Sequence, residues 1–224
     1  MWVLFDLNGT LVDPSVMAQP LGDSAADEEL VQAALDDAIA QAMVATLTGT
    51  MPPFTALLEA AMRRRVRLTG RDEAVAGQAL ELIGTMPAYL EAPAAMERLR
   101  GEGVRLAVLS QSSAEAADSV LRFAGLRDRL ELVMSAQDAG AYKPDPRPYR
   151  MALERMEAEP GDVCFVATHW WDVAGAKRAG MLTGWVARRE RALLDSVPAP
   201  DYTGRDLAEV ADAIVARLQP TSAG

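Results

Sequence analysis

The stretch Leu4-Phe5-Asp6-Leu7-Asn8-Gly9-Thr10-Leu11-Val12-Asp13 decides the fold of this chain. It begins inside an apolar run, residues 2–7, that breaks at Gly9. A short continuous apolar run closed by a turn is the pattern of a buried parallel strand. Asp6 then stands at the carboxyl end of that strand, where open α/β sheets place their ligands and reacting groups. An aspartate there can equally well cap the following turn. Taken alone, Asp6 divides evenly between the two readings, and the rest of the chain tips the balance toward catalysis.

Working outward, four more apolar runs lie at residues 104–109, 130–134, 163–167 and 183–187. Helical patterns separate most of them. Residues 113–124 carry Ala116, Val120, Leu121 and Ala124 on one stripe and stop at Gly125, a natural helix end. Residues 146–156 and 173–179 also read as helices. Strands alternating with helices predict an α/β fold, a doubly wound parallel sheet. Between the first two strands lie three helix-like stretches, 27–47, 54–65 and 71–83, punctuated by Gly49, Pro52, Pro53 and Gly70. The expected organisation is a core of residues 1–14 and 92–224 with an inserted helical cap at 15–91. Residues 220–224 read as a frayed tail.

Composition excludes more than it identifies. With 224 residues, half of them apolar, the chain is long enough for one core with an insertion. A net charge of −10 argues against a nucleic-acid partner. The single cysteine, Cys164, lies inside an apolar run and is expected to be buried. No uninterrupted apolar run approaches membrane-spanning length, so no membrane partner is expected. The N-terminus has no signal-peptide pattern, and the expected location is cytoplasmic.

Each strand end delivers a different functional group. The first carries Asp6, Asn8 and Thr10; the second, Ser110-Gln111-Ser112-Ser113; the stretch after the third, Tyr142-Lys143-Pro144-Asp145; the fourth, Thr168-His169-Trp170-Trp171-Asp172. Ser110 or Ser112 can simply cap a helix. Lys143 alone is an ordinary surface lysine, and Asp172 alone an ordinary cap. The four together, in order on successive strand ends, are far less expected by accident.

In these stretches the chain resembles the haloacid dehalogenase superfamily. Asp6 to Thr10 matches its first motif, Val-Leu-Ser110 its second, Lys143 in Tyr-Lys-Pro-Asp its third, and Asp172 its fourth. Within it, residues 106–113, 124–128, 141–149 and 165–175 are most similar to the L-2-haloacid dehalogenase branch. The resemblance implies a nucleophile in Asp6 and a lysine, Lys143, that keeps it ionised. It implies a water-activating base in Asp172, an orienting hydroxyl in Thr10, and substrate-carboxylate binding by Ser110. Tyr149 matches a tyrosine near the site and is expected to contact substrate. Asn8, Gln111, His169 and Trp170 are expected to contact substrate, with Trp171 as a second aromatic wall. Met43, Met51 and Phe54 are candidate walls from the cap, though ordinary core suits most of them.

The departures from the phosphatases of the superfamily point the same way. Those enzymes carry an acid where Asn8 stands, to protonate an alkoxide leaving group. They carry another where Thr168 stands, to help hold Mg²⁺. Halide leaves without protonation, and a carbon electrophile needs no metal. The expected reaction is metal-independent, cofactor-free hydrolysis of a short 2-haloalkanoic acid to the 2-hydroxy acid through an aspartyl ester. The alternatives are a weak phosphatase and a non-catalytic binding domain. The resemblance also implies a homodimer. The dehalogenases place a halide-receiving arginine in the first cap helix, but residues 31–42 hold Asp36, Asp37 and Gln41 and neither Arg nor Lys. The nearby Arg63-Arg64-Arg65 run reads as a solvated helix face.

Overall fold

The computed structural model describes residues 1–218; the tail expected at 220–224 lies outside the described residues. Six strands form one sheet: β1 Trp2–Phe5, β2 Arg105–Ser110, β3 Leu132–Ser135, β4 Val163–Ala167, β5 Leu182–Val186 and β6 Tyr202–Gly204. Their order is β3-β2-β1-β4-β5-β6, and every pairing is parallel. Connections reverse direction on either side of β1, which makes the gap beyond the ends of β1 and β4 the natural crevice of such a sheet.

The pleat of β1 explains its apolar run. Val3 and Phe5 face one layer, with α4 (Ala92–Gly101), α5 (Ala114–Phe123) and α8 (Leu207–Leu218). Trp2 and Leu4 face the other, with α6 (Pro146–Met156) and α7 (Trp170–Arg178). A strand covered on both faces has no polar side to show, so it is apolar throughout. Cys164 of β4 is free and buried.

Between β1 and β2 every regular element is helical: a 3-10 segment Pro14–Leu21, α1 Ala25–Thr48, α2 Phe54–Leu68, α3 Ala74–Glu81, a second 3-10 segment Leu82–Thr85 and then α4. Ser24 starts α1 in a reciprocal capping box with Asp27, and Gly49 ends it at φ 73°. Over 18 residues of α1 the mean hydropathy reaches 1.2, enough to cross a membrane by length and composition only, but Asp36 and Asp37 interrupt the run. Its Val31, Ala34, Leu35 and Ala38 instead pack in one cluster with Leu57, Leu58 and Ala61 of α2.

Most boundaries shift by one to three residues. The expected third helix at 71–83 is α3 plus the tighter segment Leu82–Thr85. The helix expected at 173–179 begins at Trp170, which places Asp172 in its first turn. Acidic side chains are favoured there by the helix dipole. The short β6 and the helices α4 and α8 have no counterpart in the sequence reading.

Candidate active site

Asp6 follows β1 directly, and its N–H still donates to Val166 O at 3.0 Å, so its backbone is fixed by the sheet. The chain then turns. Gly9 sits at φ 78°, where a Cβ would also meet Thr168 Cγ2 at 3.3 Å. Glycine answers both constraints. Thr10 Oγ1 donates to Asp6 Oδ2 at 3.1 Å and accepts from Thr168 N–H at 3.1 Å. One hydroxyl thus ties the end of β1 to the end of β4.

Lys143 is fully buried, with Nζ 2.8 Å from Asp6 Oδ1 and 2.9 Å from Asp172 Oδ2. Gln111 clamps its peptide: Nε2 donates to Lys143 O at 2.9 Å and Oε1 accepts from Lys143 N–H at 3.0 Å. An ammonium so held is a fixed charge between two carboxylates. Burial pushes against a charge on Lys143, but Asp172 and Asp6 outweigh it and raise its pKa. Burial likewise opposes ionisation of Asp6, yet Lys143, helped by His169, holds it well below the usual carboxylate range. Asp172 goes the other way: burial and the like charge of Asp6 raise it against the pull of Lys143. Two carboxylates with pKa values driven apart suit a permanently ionised nucleophile and a proton acceptor.

Tyr149 stands behind this pair rather than in the cavity. It is fully buried and its hydroxyl donates to Asp172 Oδ1 at 2.6 Å, which corrects the expectation of substrate contact. Gly175, one turn beyond Asp172, leaves the room: a Cβ there would lie 2.5 Å from Tyr149 Oη and 2.8 Å from its ring. Gly175→Ala is therefore expected to destabilise the fold by about 1–3 kcal/mol through overpacking. It should also reproduce the catalytic loss of Tyr149→Phe, about tenfold in kcat with KM little changed. Thermal melts and steady-state kinetics on the two variants check this; an alanine variant with wild-type melting contradicts it.

His169 places Nδ1 3.3 Å from Asp6 Oδ2 and stacks on Trp171, centroids 4.9 Å apart and planes 20° apart. Burial disfavours its charge, but Asp6 and then Asp172 outweigh burial and raise its pKa above the ordinary 6.5. A raised histidine contributes stability that is complete below the unfolded-state pKa and lost as pH rises through the folded value. The melting advantage of the wild type over His169→Gln should therefore be larger near pH ~6 than near pH ~9. An advantage that grows with pH would contradict the raised pKa.

Of the two tryptophans, the structure brings Trp171 to the cavity, 6 % exposed, whereas Trp170 is 39 % exposed and turned outward. The expectation of a Trp170 wall is corrected accordingly. Trp170 serves through its backbone, whose N–H donates to the Glu190 carboxylate at 3.1 Å. Ser110 is buried, lines the cavity and accepts from Ser112 N–H at 3.1 Å, while Ser113 is the residue that caps α5. Asn8 also lines the cavity, and its Oδ1 is buried with no partner among the described residues. Phe54 lines it too; Met43 packs among the helices of the insertion and Met51 is exposed.

The cavity is about 50 Å³. At roughly 10–15 Å³ per water by the same measure it admits a ligand of a few heavy atoms. Leu35, Ile39 and Phe54 form an apolar side opposite Asp6 and Ser110. The loop after β5 adds Arg188, Arg189 and Glu190, which the sequence reading missed. Nothing local distinguishes these from surface charges; only the order of strands brings β5 beside β4. The Arg63–Arg65 run is engaged within the helical stretch: Arg64 and Arg65 bind Asp37 at 2.8 and 2.7 Å, and Arg63 binds Glu59 at 2.8 Å.

Asp6, His169 and Asp172 present ligand atoms within 4.8 Å of one another. Lys143 already bridges the two carboxylates, and Thr168 Oγ1 is committed to Val186 O at 2.9 Å. This donor set suits a fixed ammonium and does not fit a divalent cation, which prefers several free, charged oxygens.

Residues 1–180 match the family model described as haloacid dehalogenase-like hydrolase. The (S)-2-haloacid dehalogenase of Pseudomonas sp. strain YL is 31 % identical over 124 residues, 55 % of this chain and 53 % of that protein, so this match spans about half of its length. The (S)-2-haloacid dehalogenase 2 of Pseudomonas sp. strain CBS-3 is 28 % identical over 213 residues, 93 % of each. A crystal structure described as a dehalogenase superposes with a TM-score of 0.86 at 27 % identity, covering 93 % of this chain and 94 % of its own.

Proposed function

We propose, for a chain that belongs to the haloacid dehalogenase-like hydrolase family, hydrolysis of a short 2-haloalkanoic acid to the 2-hydroxy acid through an ester on Asp6. The observation that carries this reading is the Asp6–Lys143–Asp172 arrangement beneath a cavity of a few heavy atoms. It fits carbon–halogen chemistry because the position of the phosphatase acid is Asn8. The relatives that act on (S)-2-haloacids support the substrate class.

A carboxylate oxygen of Asp6 attacks the halogen-bearing carbon in line. The new C–O bond forms as the carbon–halogen bond breaks, and halide leaves with the electron pair. In-line attack inverts that carbon. Lys143 keeps Asp6 ionised, and Thr10 and the sheet aim it. Once Asp6 is esterified it is neutral, and Lys143 is left paired with Asp172 alone. Asp172 then takes a proton from water as the water attacks the ester carbonyl. Collapse passes that proton from Asp172 to the departing alkoxide, which leaves as the 2-hydroxy acid, and the remaining water proton goes to solvent as the Asp6 carboxylate is restored. Tyr149 holds Asp172 in position. Ser110, at the end of β2, receives the substrate carboxylate. Residues 15–91 act as a cap whose apolar side excludes bulk water while the ester exists.

The test is halide release from both enantiomers of 2-chloropropionate and from chloroacetate, followed by single turnover in heavy-oxygen water. Release with the label entering Asp6 is the expected result. Robust phosphate release from aryl phosphates that a chelator abolishes, with no halide release, would replace this reading by the phosphatase one.

A further inference from the structure

Every charge that the reaction adds to this cavity is negative. The substrate brings a carboxylate, and the first step leaves a halide, both beside the ionised Asp6. The cavity therefore needs a cation with donors to spare. Lys143 has none to offer cheaply, because its ammonium already bridges two carboxylates. Arg189 is half-exposed and spends Nη1 and Nη2 on Asp36 at 3.3 and 3.1 Å.

Arg188 differs. It lines the cavity, and its side chain is only 22 % exposed. Nη2 donates to Glu91 Oε1 at 2.6 Å, and the guanidinium lies over the Tyr89 ring with its carbon 3.6 Å from the centroid. These two contacts fix the plane of the group without consuming its fork. Nε is buried and has no hydrogen-bond partner among the described residues. A buried, charged donor without an acceptor is costly, and an incoming anion removes that cost. Asn8 Oδ1 and His169 Nδ1 of the same cavity also lack a hydrogen-bond partner among the described residues, but Asn8 Oδ1 is an acceptor and draws no anion, so Arg188 Nε is the fully charged donor left over. Preorganisation by Glu91 and Tyr89 means that little side-chain freedom remains to be lost on binding.

We infer that Arg188 is the cation that receives a small monovalent anion in this cavity: the carboxylate of the substrate, shared with Ser110, or the halide it releases. The inference deepens the dehalogenase reading and rests on it for the identity of the anion. The cation comes from the core loop after β5, and α1 contributes Asp36, which engages the neighbouring Arg189 and leaves Arg188 to the cavity.

The experiment is equilibrium titration of the intact protein with sodium bromide and, separately, with sodium propionate, for the wild type, Arg188→Gln and Arg188→Lys. Heat of binding and protection against thermal unfolding are the readouts. Arg188→Gln should weaken binding of at least one anion by tenfold or more. Arg188→Lys keeps a charge for Glu91 but loses the fork, and about fivefold weakening is expected. If the glutamine variant does not fold, the lysine variant decides. Weakening confined to bromide assigns the leaving-group side to Arg188, and weakening confined to propionate assigns the carboxylate side; both support the inference. Unchanged affinity for both anions in a folded variant overturns it. In parallel, the wild type is assayed for halide release. Absence of release in the wild type counts against the dehalogenase reading, while the titrations still decide whether Arg188 receives an anion.

Discussion

Asp6→Asn should abolish halide release, lowering kcat by a factor on the order of 10³ or more, while leaving the fold in place. The amide is nearly isosteric: its one oxygen can stay with Lys143 Nζ, while its NH2 meets Thr10 Oγ1, a hydroxyl that can accept instead of donate. What is lost is the charge that attacks carbon in the proposed mechanism. Because Lys143 and His169 hold Asp6 far below the usual carboxylate range, its protonation does not set the acid limb of the rate profile. That limb is expected to follow Asp172, whose carboxyl is raised by burial and by the like charge of Asp6. Circular dichroism and halide release on the purified variant check the prediction. A folded variant retaining a tenth of wild-type activity would remove Asp6 as the nucleophile.

Lys143→Met carries the other large effect, and it strikes stability and rate together. Methionine fills much of the lysine volume but leaves Asp6 and Asp172 buried without their shared ammonium. Removing one partner of a buried charge network costs about 3–5 kcal/mol. At roughly 2–4 °C per kcal/mol for a chain of this size, the melting temperature should fall by about 10 °C. The sign with pH follows from burial. Without Lys143, desolvation and mutual repulsion raise the Asp6 pKa instead of depressing it. A raised carboxylate contributes stability below its unfolded-state pKa, lost as pH rises through the folded value. The deficit relative to wild type should therefore be largest at neutral pH and shrink toward pH ~4. The acid limb of any residual activity should move to higher pH. Melting curves at several pH values test this, and a deficit independent of pH would show that the cost is packing alone.

The sheet was legible because its signals are local. Apolar runs of four to six residues closed by polar turns mark buried strands wherever they occur, and β1, β2, β4 and β5 each follow that rule within two residues at either end. The four strand-end groups were legible for the same reason, since a parallel sheet puts the ends of all its strands on one edge. β6 spans only Tyr202–Gly204, too short for a periodic pattern. Its place depends on pairing with β5, which no local sequence states.

What the sequence determined by itself is the class of fold and the set of residues that reach its carboxyl edge: Asp6, Thr10, Ser110, Lys143 and Asp172. What only the tertiary structure decided is the direction in which side chains point and which distant residues join them. Trp170 and Trp171 differ by one helical step of about 100°, so a start three residues earlier than expected settles which of them faces the cavity. Gln111 braces the Lys143 peptide and Tyr149 braces Asp172, across 32 and 23 residues of chain. Arg188 meets Glu91 across 97 residues. Local patterns report how much of a segment is buried. The partners of a buried polar group are set by packing between segments far apart in the chain, and that is where this site takes its charge.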